Sequence, residues 1–413
     1  MAESTVFPTS LSVDQARERI VEMCTGRALP PERIDLTSAL GRILAVDAIA
    51  PFDIPGFTNS AMDGFAVRGS DLPDAGDKEF DLIGEILAGG APAPEVGADC
   101  CVRIMTGAPL PRGADTVVMK ENTRTRGGRV IVAAGTASGA NVRPAGEDYR
   151  AGEVGVARGE QLTPARVGVL ASFGMARVDV ARRPRVVLLT TGDELVEPGK
   201  PLGFGQIHDS NRLSLGGLIE QHGGVLVRHE RVRDEPSSVR DALSRAGTDA
   251  DLIVSSGGVS AGDADFLPGM IAEIGKVHFW KVRIKPGMPF LFGEVGGALA
   301  FALPGNPVSG IAIFLTLLKP ALSTLAGAHA QATVLRARLA LPIDKRHARA
   351  EFQRARLASD AQAQLWATPQ TRQGSGMLRG VAEADALIVL PEGAHAFSAG
   401  DVVDVLPLPG WPR

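Results

Sequence analysis

A loop of small and polar residues, SSGGVSAGDADF at 255–266, combines groups suited to two different ligands. Gly257 and Gly258 let the backbone turn with its N–H groups pointing inward, and the serine hydroxyls add further donors, which suits phosphate oxygens. The carboxylates that follow would repel phosphate unless a divalent cation lay between them, and Mg²⁺ commonly takes one or two carboxylates together with phosphate oxygens. We interpret Asp263 as the cap of a following helix and Asp265 as the metal ligand. A plain strand-to-helix turn is the alternative.

Two further loops follow hydrophobic runs and carry polar groups of a similar kind. TTGDEL, residues 190–195, supplies hydroxyls, a glycine and carboxylates, which suits binding of a nucleotide ribose or positioning of a water. Surface acids at a turn are the alternative there. LPGNP, residues 303–307, is stiffened by its prolines, and Asn306 offers both a hydrogen-bond donor and an acceptor. Ser309 opens the next predicted helix, and a stiff turn with an asparagine cap is the other interpretation of this segment.

A basic segment, KVRIKPGMP at residues 281–289, alternates cations with apolar residues. Successive side chains of an extended strand point to opposite faces, so Lys281, Arg283 and Lys285 are predicted to share one face. A row of cations beside a phosphate-shaped loop favours an oxyanion ligand, and a solvated edge strand is the alternative. Other polar groups are weaker signals when taken singly: Asp63 in NSAMDGFAV, which an Asp-Gly turn would also explain, Thr106 in MTGAPLPRGAD, Arg354 in EFQRARL and Ser375 in TRQGSGM.

Hydrophobic patterning indicates the elements that position these groups. After residue 183, apolar runs alternate with helical segments, which is typical of a parallel sheet with crossover helices. RVVLLTTGDEL, LIVSSGGVSAGD and LAFALPGNPVSG each predict a buried strand that ends in a glycine-containing loop. Such loops gather at the carboxyl ends of the strands, where ligands bind in open α/β sheets. The flanking regions differ: a helix capped by Ser12 is predicted at 12–24, short β-like runs at about 51–150, and a small β-barrel or sandwich from about 332.

Composition restricts the class of protein. A chain of 413 residues predicts roughly two to four domains. The net charge of −4 gives no indication of a nucleic-acid-binding surface, so an anionic ligand must be held by a local site.

The cysteines lack the spacing of a zinc or redox site and are interpreted as small buried hydrophobic residues. The first residues lack the features of a signal peptide, and the apolar run 310–318 falls short of the roughly 20 residues that span a bilayer. We therefore expect no membrane and a reducing cytoplasm.

Several motifs occur in order along the chain: NSAMDGFAV, MTGAPLPRGADTVV, RPAGED, TGDEL, SGGVSAGDADF, KPGMP and LPGNPVS. Together they resemble the molybdopterin molybdenumtransferases, the MoeA family related to the gephyrin E domain. The resemblance implies a multidomain fold of α/β plus β type, with a molybdopterin-binding three-layer α/β domain, an inserted β domain, a linking region and a C-terminal β-barrel. The implied boundaries are 33–51 and 153–178 for the linking region, 52–152 for the β domain, 10–32 and 179–331 for the α/β domain, and 332–413 for the barrel.

The resemblance also implies an activity. The substrates in this family are adenylated molybdopterin and molybdate, the pyrophosphate link is cleaved, and molybdenum cofactor and AMP are released with Mg²⁺ or a similar divalent ion. The implied assembly is an elongated homodimer whose active cleft forms between the α/β domain of one subunit and the β domain of the other. The implied partners are the molybdopterin adenylyltransferase and the molybdoenzymes that receive the cofactor.

Residue roles follow from matching the motifs of this chain to those of the family. Asp234 and Asp265 would hold the metal. The groups required for catalysis would be Asp63, Thr106, Asp148, Glu194 and Asp265, and which of them acts as a base, positions water or binds substrate stays open. The substrate would be bound by Gly192, Asp193, Ser256, Gly257, Gly258, Ser260, Pro304, Gly305, Asn306 and Pro307. Molybdate would lie near Lys281, Lys285, Ser309, Arg354 and Ser375, whose donors suit a tetrahedral dianion.

One position departs from the family pattern. Many members have KPGKP where this chain has KPGMP, so Met288 removes a cationic contact to molybdate, and we expect Lys285 and Arg354 to suffice. Two other functions fit parts of the sequence. The α/β portion also resembles the molybdopterin adenylyltransferases, which use a related SGG loop but lack the long β domain and the C-terminal barrel. A carrier or scaffold would instead bind molybdopterin without turnover.

Overall fold

The structure is a computed structural model that describes residues 8–258, 267–328 and 334–410. Its first helix, Val13–Thr25, begins as the sequence predicts. The hydroxyl of Ser12 accepts a hydrogen bond from the backbone N–H of Gln15, whose side chain accepts one from the backbone N–H of Ser12. This reciprocal capping box satisfies two of the N–H groups that a helix start leaves unpaired. The helix is preceded by the short strand Thr9–Leu11, and it buries Val13, Ala16, Ile20 and Cys24.

The α/β domain is built on one mixed sheet, of which the structure describes seven strands. Four neighbouring strands are parallel, and the register pairs Thr190 with Ser256 and Ser256 with Leu303. Their carboxyl ends therefore lie side by side. The other edge is extended by one antiparallel strand, Leu291–Val295, and then by Gly275–Val282 and the N-terminal strand, which run in the direction of the first four. In spatial order the strands are Thr9–Leu11, Gly275–Val282, Leu291–Val295, Ala298–Leu303, Leu252–Ser256, Arg185–Thr191 and Val225–Val232.

Helices cover both faces of this sheet, because its central strands are apolar on both sides. Val186 and Leu188 face one core, and Val187 and Leu189 face the other. Burial on both faces is typical of parallel strands between layers of helix. The predicted three-layer α/β arrangement is thus confirmed. One layer contains Val13–Thr25, Ser210–Gln221 and the helical segment that begins at Pro307; the other contains Pro236–Asp249 and Leu267–Ile274.

The helical segment Pro307–Leu325 extends beyond the apolar run 310–318 at both ends. It consists of the α-helix Pro307–Ile313, π-helical turns at Phe314–Leu318 and the α-helix Lys319–Leu325. Within the described residues it is the one helix long and apolar enough to cross a membrane by length and composition, but 78% of its most apolar window is buried inside the protein. It behaves as a core helix of the α/β domain.

The β domain contains a sheet of which the structure describes six strands. Two small cores lie against it, one around Phe65 and Phe80 and the other around Ile86 and Ile104. In spatial order the strands are Thr116–Met119, Gly64–Val67, Cys100–Ile104, Asp77–Ile86, Arg129–Ala133 and Thr123–Arg126. Nearby are the strand pair Asn59–Ser60 and Val142–Arg143 and the 3₁₀ turns Gly69–Asp71 and Lys120–Asn122.

The segments on either side of the β domain pair with each other. Pro31–Asp35 pairs with Arg177–Ala181, and Ala48–Ile49 pairs with Val154–Val156. This pairing returns the chain to where it left, so the β domain is an insertion. The same region contains the turn Leu36–Ser38 and the helix Pro164–Ser172, whose cap is Thr163.

The C-terminal region forms a closed β-barrel, which decides between the barrel and the sandwich that the alternation allowed. Closure comes from pairing of Ala350–Ser359 with both of its neighbours, Leu365–Pro369 and Ala386–Leu390. The remaining barrel strands are Leu335–Leu339 and Val402–Pro407. The short strand Ile284–Lys285 pairs with Ala350–Ser359 and joins the barrel to the α/β domain. Also described are the helix Leu378–Ala382 and the strand pairs Ile343–Lys345 with His395–Phe397, and Leu195–Val196 with Ile207–His208.

The predicted single basic face of residues 281–285 is wrong. Lys281 has a φ of 65°, which interrupts the alternation of an extended strand. Its ammonium lies 4.0 Å from the centre of the Trp280 ring. Arg283 pairs with Glu392, and Lys285 pairs with a different acid of the barrel. The three cations of this segment therefore have different partners.

Candidate functional site

Two strand-end loops are tied together at the carboxyl edge of the parallel sheet. The backbone N–H of Gly257 donates to the carbonyl of Leu303 over 3.0 Å. The amide of Asn211 donates both to the hydroxyl of Ser256, at 2.8 Å, and to the carbonyl of Gly305, at 2.7 Å. Asn211 thus fixes the SSGG loop against the LPGNP loop. The sequence interpretation did not include this residue, because its partners lie 45 and 94 positions away.

Gly257 lies where a side chain has no room. Its φ is 101°, and a Cβ atom would lie 2.5 Å from both the carbonyl and hydroxyl oxygens of Thr191. Gly258 also has a positive φ, of 72°. The loop therefore passes close against the end of strand Arg185–Thr191, and its half-exposed glycine backbone suits contacts to phosphate oxygens.

The TTGDEL loop combines a buried and an exposed part. Thr190 is buried and donates to the carboxylate of Asp209 over 2.7 Å. Asp209 in turn caps helix Ser210–Gln221 by accepting from the N–H of Arg212. Beyond them the predicted substrate and catalytic side chains, Asp193 and Glu194, are exposed at the loop surface next to Gly192. Sequence reasoning missed Asp209, although an aspartate immediately before a helical pattern is a recognised cap signal.

A cavity of about 370 Å³ lies where the LPGNP loop, the KPGMP loop and the barrel meet. Ser309 is buried at the start of its helix, and the backbone N–H of Val308 donates to the carbonyl of Ser375 over 3.1 Å. This bond brings a barrel loop to the α/β domain. Predicted molybdate-binding and substrate-binding residues are thereby brought together around the cavity. Pro307 begins the adjacent helix. Lining the cavity are Lys285, Met288, Pro304, Asn306, Ser309, Ser375 and residues that the sequence interpretation missed, among them Arg349 and Glu351.

Arg354 lies behind this cavity rather than in its wall. It is fully buried, and its guanidinium donates to the carbonyls of Arg372 and Gly374. Burial lowers the pKa of this guanidinium below its ordinary value. Among the described residues its Nη1 atom has no hydrogen-bond partner, which leaves one donor next to the Gly374–Ser375 loop. Lys281 is not part of the cavity wall and contacts Trp280 instead.

Asp63 and Thr106 form a second polar group in the β domain. The carboxylate of Asp63 accepts from the backbone N–H of Thr106 at 2.9 Å and from its hydroxyl at 2.8 Å, and the ammonium of Lys120 lies 3.6 Å away. The Thr106 N–H, its hydroxyl and the Lys120 charge hold the pKa of Asp63 below its usual value. Asp63 lines a cavity of about 420 Å³ made entirely of β-domain residues. Asp148 is exposed in a separate loop, where its N–H donates to Ile54.

The metal ligands expected from the sequence are only partly described. Asp234 is exposed in the loop after strand Val225–Val232, at the carboxyl edge of the sheet. Asp265, together with Ser260 and Asp263, lies outside the described residues. Where the structure describes the chain, no group of three or more His, Cys, Asp and Glu side chains is arranged to hold a metal. The described residues therefore do not form a metal site by themselves.

Comparison with known proteins agrees with this architecture. Three family models match successive parts of the chain: the MoeA N-terminal region (domain I and II) at residues 11–174, a probable molybdopterin binding domain at 187–324, and the MoeA C-terminal region (domain IV) at 336–408. A molybdopterin molybdenumtransferase from Haemophilus influenzae is 37% identical over 404 residues, which cover 96% of this chain and 98% of that protein. The chain belongs to the MoeA family.

Other MoeA relatives are similar over the same extent. Molybdopterin molybdenumtransferase 2 of Mycobacterium tuberculosis is 35% identical over 409 residues, which cover 95% of this chain and 98% of that protein. The crystal structure of the molybdopterin biosynthesis MoeA protein from Pyrococcus horikoshii OT3 superimposes with a TM-score of 0.84 at 28% identity, covering 97% of this chain and all of that one. The family assignment made from the ordered motifs is confirmed.

Proposed function

We propose that this protein inserts molybdate into adenylated molybdopterin and cleaves the pyrophosphate link, giving molybdenum cofactor and AMP. The observation that carries the proposal is the cavity in which the LPGNP loop, Lys285 and the barrel residue Ser375 meet. Donors suited to a tetrahedral oxyanion lie there, next to strand-end loops suited to phosphate. The reaction requires these two kinds of site side by side, and the relatives named molybdopterin molybdenumtransferases support the same activity.

The proposed binding roles follow from this arrangement. The backbone N–H groups of Gly257 and Gly258 would face the phosphates, and the Gly305–Asn306 loop would lie beside them. Lys285, Ser309 and Ser375 would contact molybdate, with the unpartnered Nη1 of the Arg354 guanidinium behind them. Met288 lines the same cavity and offers it no charge.

We further propose that the active protein is a homodimer. The cavity beside Asp63 is lined by β-domain residues alone, and the cavity beside Lys285 contains no β-domain residue. A second subunit would bring the two groups together. Exposed apolar side chains on both domains support such an interface, since patches of this kind commonly mark association surfaces. They are Leu202, Phe204, Ile207 and Leu213 near the strand-end loops, and Phe52, Phe57 and Met62 near Asp63.

A divalent cation, with Mg²⁺ as the proposed ion, would be held by Asp234 and Asp265. Mg²⁺ usually takes one or two carboxylates and completes its coordination with water and substrate phosphates. Asp234, the described member of this pair, offers one exposed carboxylate, which is consistent with such coordination. The ion would offset phosphate charge when bound.

The proposed partners are the molybdopterin adenylyltransferase, which would supply the adenylated substrate, and the molybdoenzymes that accept the product. The cytoplasm is the proposed location, because free cysteines such as Cys24 and Cys101 are typical of a reducing compartment. Burial raises the pKa of each of these thiols to about 12, so they are unreactive packing residues.

The direct test is release of AMP from purified adenylated molybdopterin, with and without molybdate and Mg²⁺. We expect release only when molybdate is present, and stimulation by the metal. Adenylation of molybdopterin by ATP would instead identify an adenylyltransferase. Tight binding of molybdopterin without release of AMP, unchanged by substitution of Asp265 with Ala, would identify a carrier.

A further inference from the structure

Glu351 is a buried acid in the wall of the oxyanion cavity. Its side chain belongs to barrel strand Ala350–Ser359 and is 5% exposed. One carboxylate oxygen lies 2.9 Å from the ammonium of Lys285, and the other lies 3.1 Å from Nε2 of His347. A carboxylate at this position is unexpected in a site for anions, since like charges in a partly desolvated cavity repel.

Basic side chains surround Glu351, with Glu392 as a second acid nearby. Lys345 is 2% exposed and donates to the carbonyls of His347 and Gly393. Burial lowers the pKa of Lys345, and the charges of Glu351 and Glu392 oppose that shift. Arg349 also lines the cavity. Glu351 therefore offsets the charge of Lys285 and part of that of Lys345 when no anion is bound, and an entering oxyanion must compete with it for Lys285.

We infer that Glu351 is an internal counter-ion of Lys285 that lowers the affinity of the site for oxyanions. Molybdate bound at Lys285 can then transfer to the pterin instead of being retained. This inference rests on the proposed function of the cavity and adds a residue that limits the affinity of that site. Removing the carboxylate should therefore tighten oxyanion binding. A group that merely held Lys285 in position would have the opposite effect.

The charge of the ligand separates these possibilities. Molybdate is a tetrahedral dianion at neutral pH, and perrhenate is a tetrahedral monoanion of similar shape. Coulomb repulsion from one carboxylate is twice as large for the dianion. For Glu351→Gln we expect about tenfold tighter molybdate binding and only about threefold tighter perrhenate binding, measured by calorimetry on the full-length protein.

Three variants act as controls. Glu392→Gln removes a carboxylate that pairs with Arg283 and also acts on Lys345. Because Glu392 does not line the cavity, the affinities for molybdate and perrhenate should both stay within about twofold of the unmodified protein. Glu351→Asp keeps the charge and should also stay near the unmodified protein, whereas a packing role would leave the isosteric Glu351→Gln unchanged and make the shorter aspartate the variant that departs. In a Lys285→Met background, Glu351→Gln should change molybdate affinity by less than it does alone, because the competition for Lys285 is gone.

The outcomes are distinct. Equal tightening of both anions, no change, or weaker binding in Glu351→Gln overturns the counter-ion role while leaving the oxyanion site in place. Molybdate binding that is absent from the unmodified protein, or unaffected by Lys285→Met, overturns the oxyanion site and this inference with it. Circular dichroism and gel filtration of each variant establish that the folded protein is being compared.

Discussion

At the scale of single residues, Asp63 is held in its ionised form by donors from Thr106 and Lys120. The Thr106 N–H is the largest cause of its lowered pKa, and the Thr106 hydroxyl and Lys120 add to it. Because the folded pKa lies below that of the unfolded chain, the stability contributed by this carboxylate is present above the unfolded pKa and is lost as the pH falls through the folded pKa. Asp63 is thus an anion throughout the neutral range and is suited to act as a base or to position a cation or water.

Thr106→Val tests this arrangement, because valine removes the hydroxyl and keeps the backbone N–H. We expect the pKa of Asp63 to rise while staying below its ordinary value, and AMP release to fall by roughly tenfold or more. A carbon-detected NMR titration of the carboxyl group measures the first effect. Thr125→Val in the same cavity is the matched control and should alter neither quantity. An unchanged Asp63 titration in Thr106→Val would show that the hydroxyl is not a significant donor.

At the scale of elements, the conformation of the SSGG loop depends on Gly257. Alanine there would combine a positive φ with a Cβ placed 2.5 Å from the oxygens of Thr191, whereas Gly297 has a similar φ of 94° and open space around it. We expect Gly257→Ala to lower the free energy of unfolding by about 3 kcal/mol and to abolish AMP release. Gly297→Ala, before strand Ala298–Leu303 and at the opposite end of that strand from the site, should cost about 1 kcal/mol and leave activity largely intact. Urea unfolding of both variants separates crowding against Thr191 from backbone strain. Equal losses of unfolding free energy would show that the Cβ is not crowded at residue 257.

The end of helix Ser210–Gln221 carries a half-buried imidazole. Burial, with the charge of Lys319, lowers the pKa of His222 to about 4. The unfolded chain therefore binds more protons between about pH 6.5 and 4, so this residue stabilises the fold above that window and the stability is lost as the pH falls through it. We expect His222→Gln to reduce the loss of unfolding free energy between pH 7 and 4 by on the order of 2 kcal/mol.

Unfolding by urea at several pH values measures this difference. His395→Gln removes an exposed imidazole of the barrel and is the control for loss of a histidine as such. Identical pH profiles for His222→Gln and the unmodified protein would show that this imidazole is not the group responsible.

Elements of the site differ in how far the sequence alone predicts them. The strand ends at Thr191, Ser256 and Leu303 were predictable, because each apolar run stops at a glycine or at a Pro-Gly pair and the pattern is local. The orientation of Lys281 was not, since its positive φ interrupts a strand that would otherwise alternate. Asn211 and Glu351 were missed because they act on partners far away in the sequence, and local pattern carries no information about such contacts. Closure of the barrel depends on distant strand pairing in the same way.

At the scale of the whole molecule, the proposed active site is divided between domains, and the cavities beside Asp63 and Lys285 share no lining residue. Asp63 and Thr106 lie in the β domain, and Glu194 lies at the carboxyl edge of the α/β sheet. The side chains exposed near each group include large apolar ones such as Phe204 and Phe57. A twofold-symmetric dimer that paired these surfaces would form two identical sites, each with residues from both chains.

Mixing of inactive variants tests whether the sites are shared in this way. Asp63→Asn and Glu194→Gln should each abolish AMP release alone. After the two are unfolded together and reassembled at random, half of the dimers are mixed and one of the two sites in each mixed dimer has neither substitution. Activity should therefore recover to about one quarter of the unmodified level. Mixing Asp63→Asn with Thr106→Val should recover only the residual activity of Thr106→Val, because both substitutions lie in the same domain and every site then carries one of them. If Asp63 and Glu194 of one chain served the same site, the first mixture would also stay inactive, since each site would keep its own substitution.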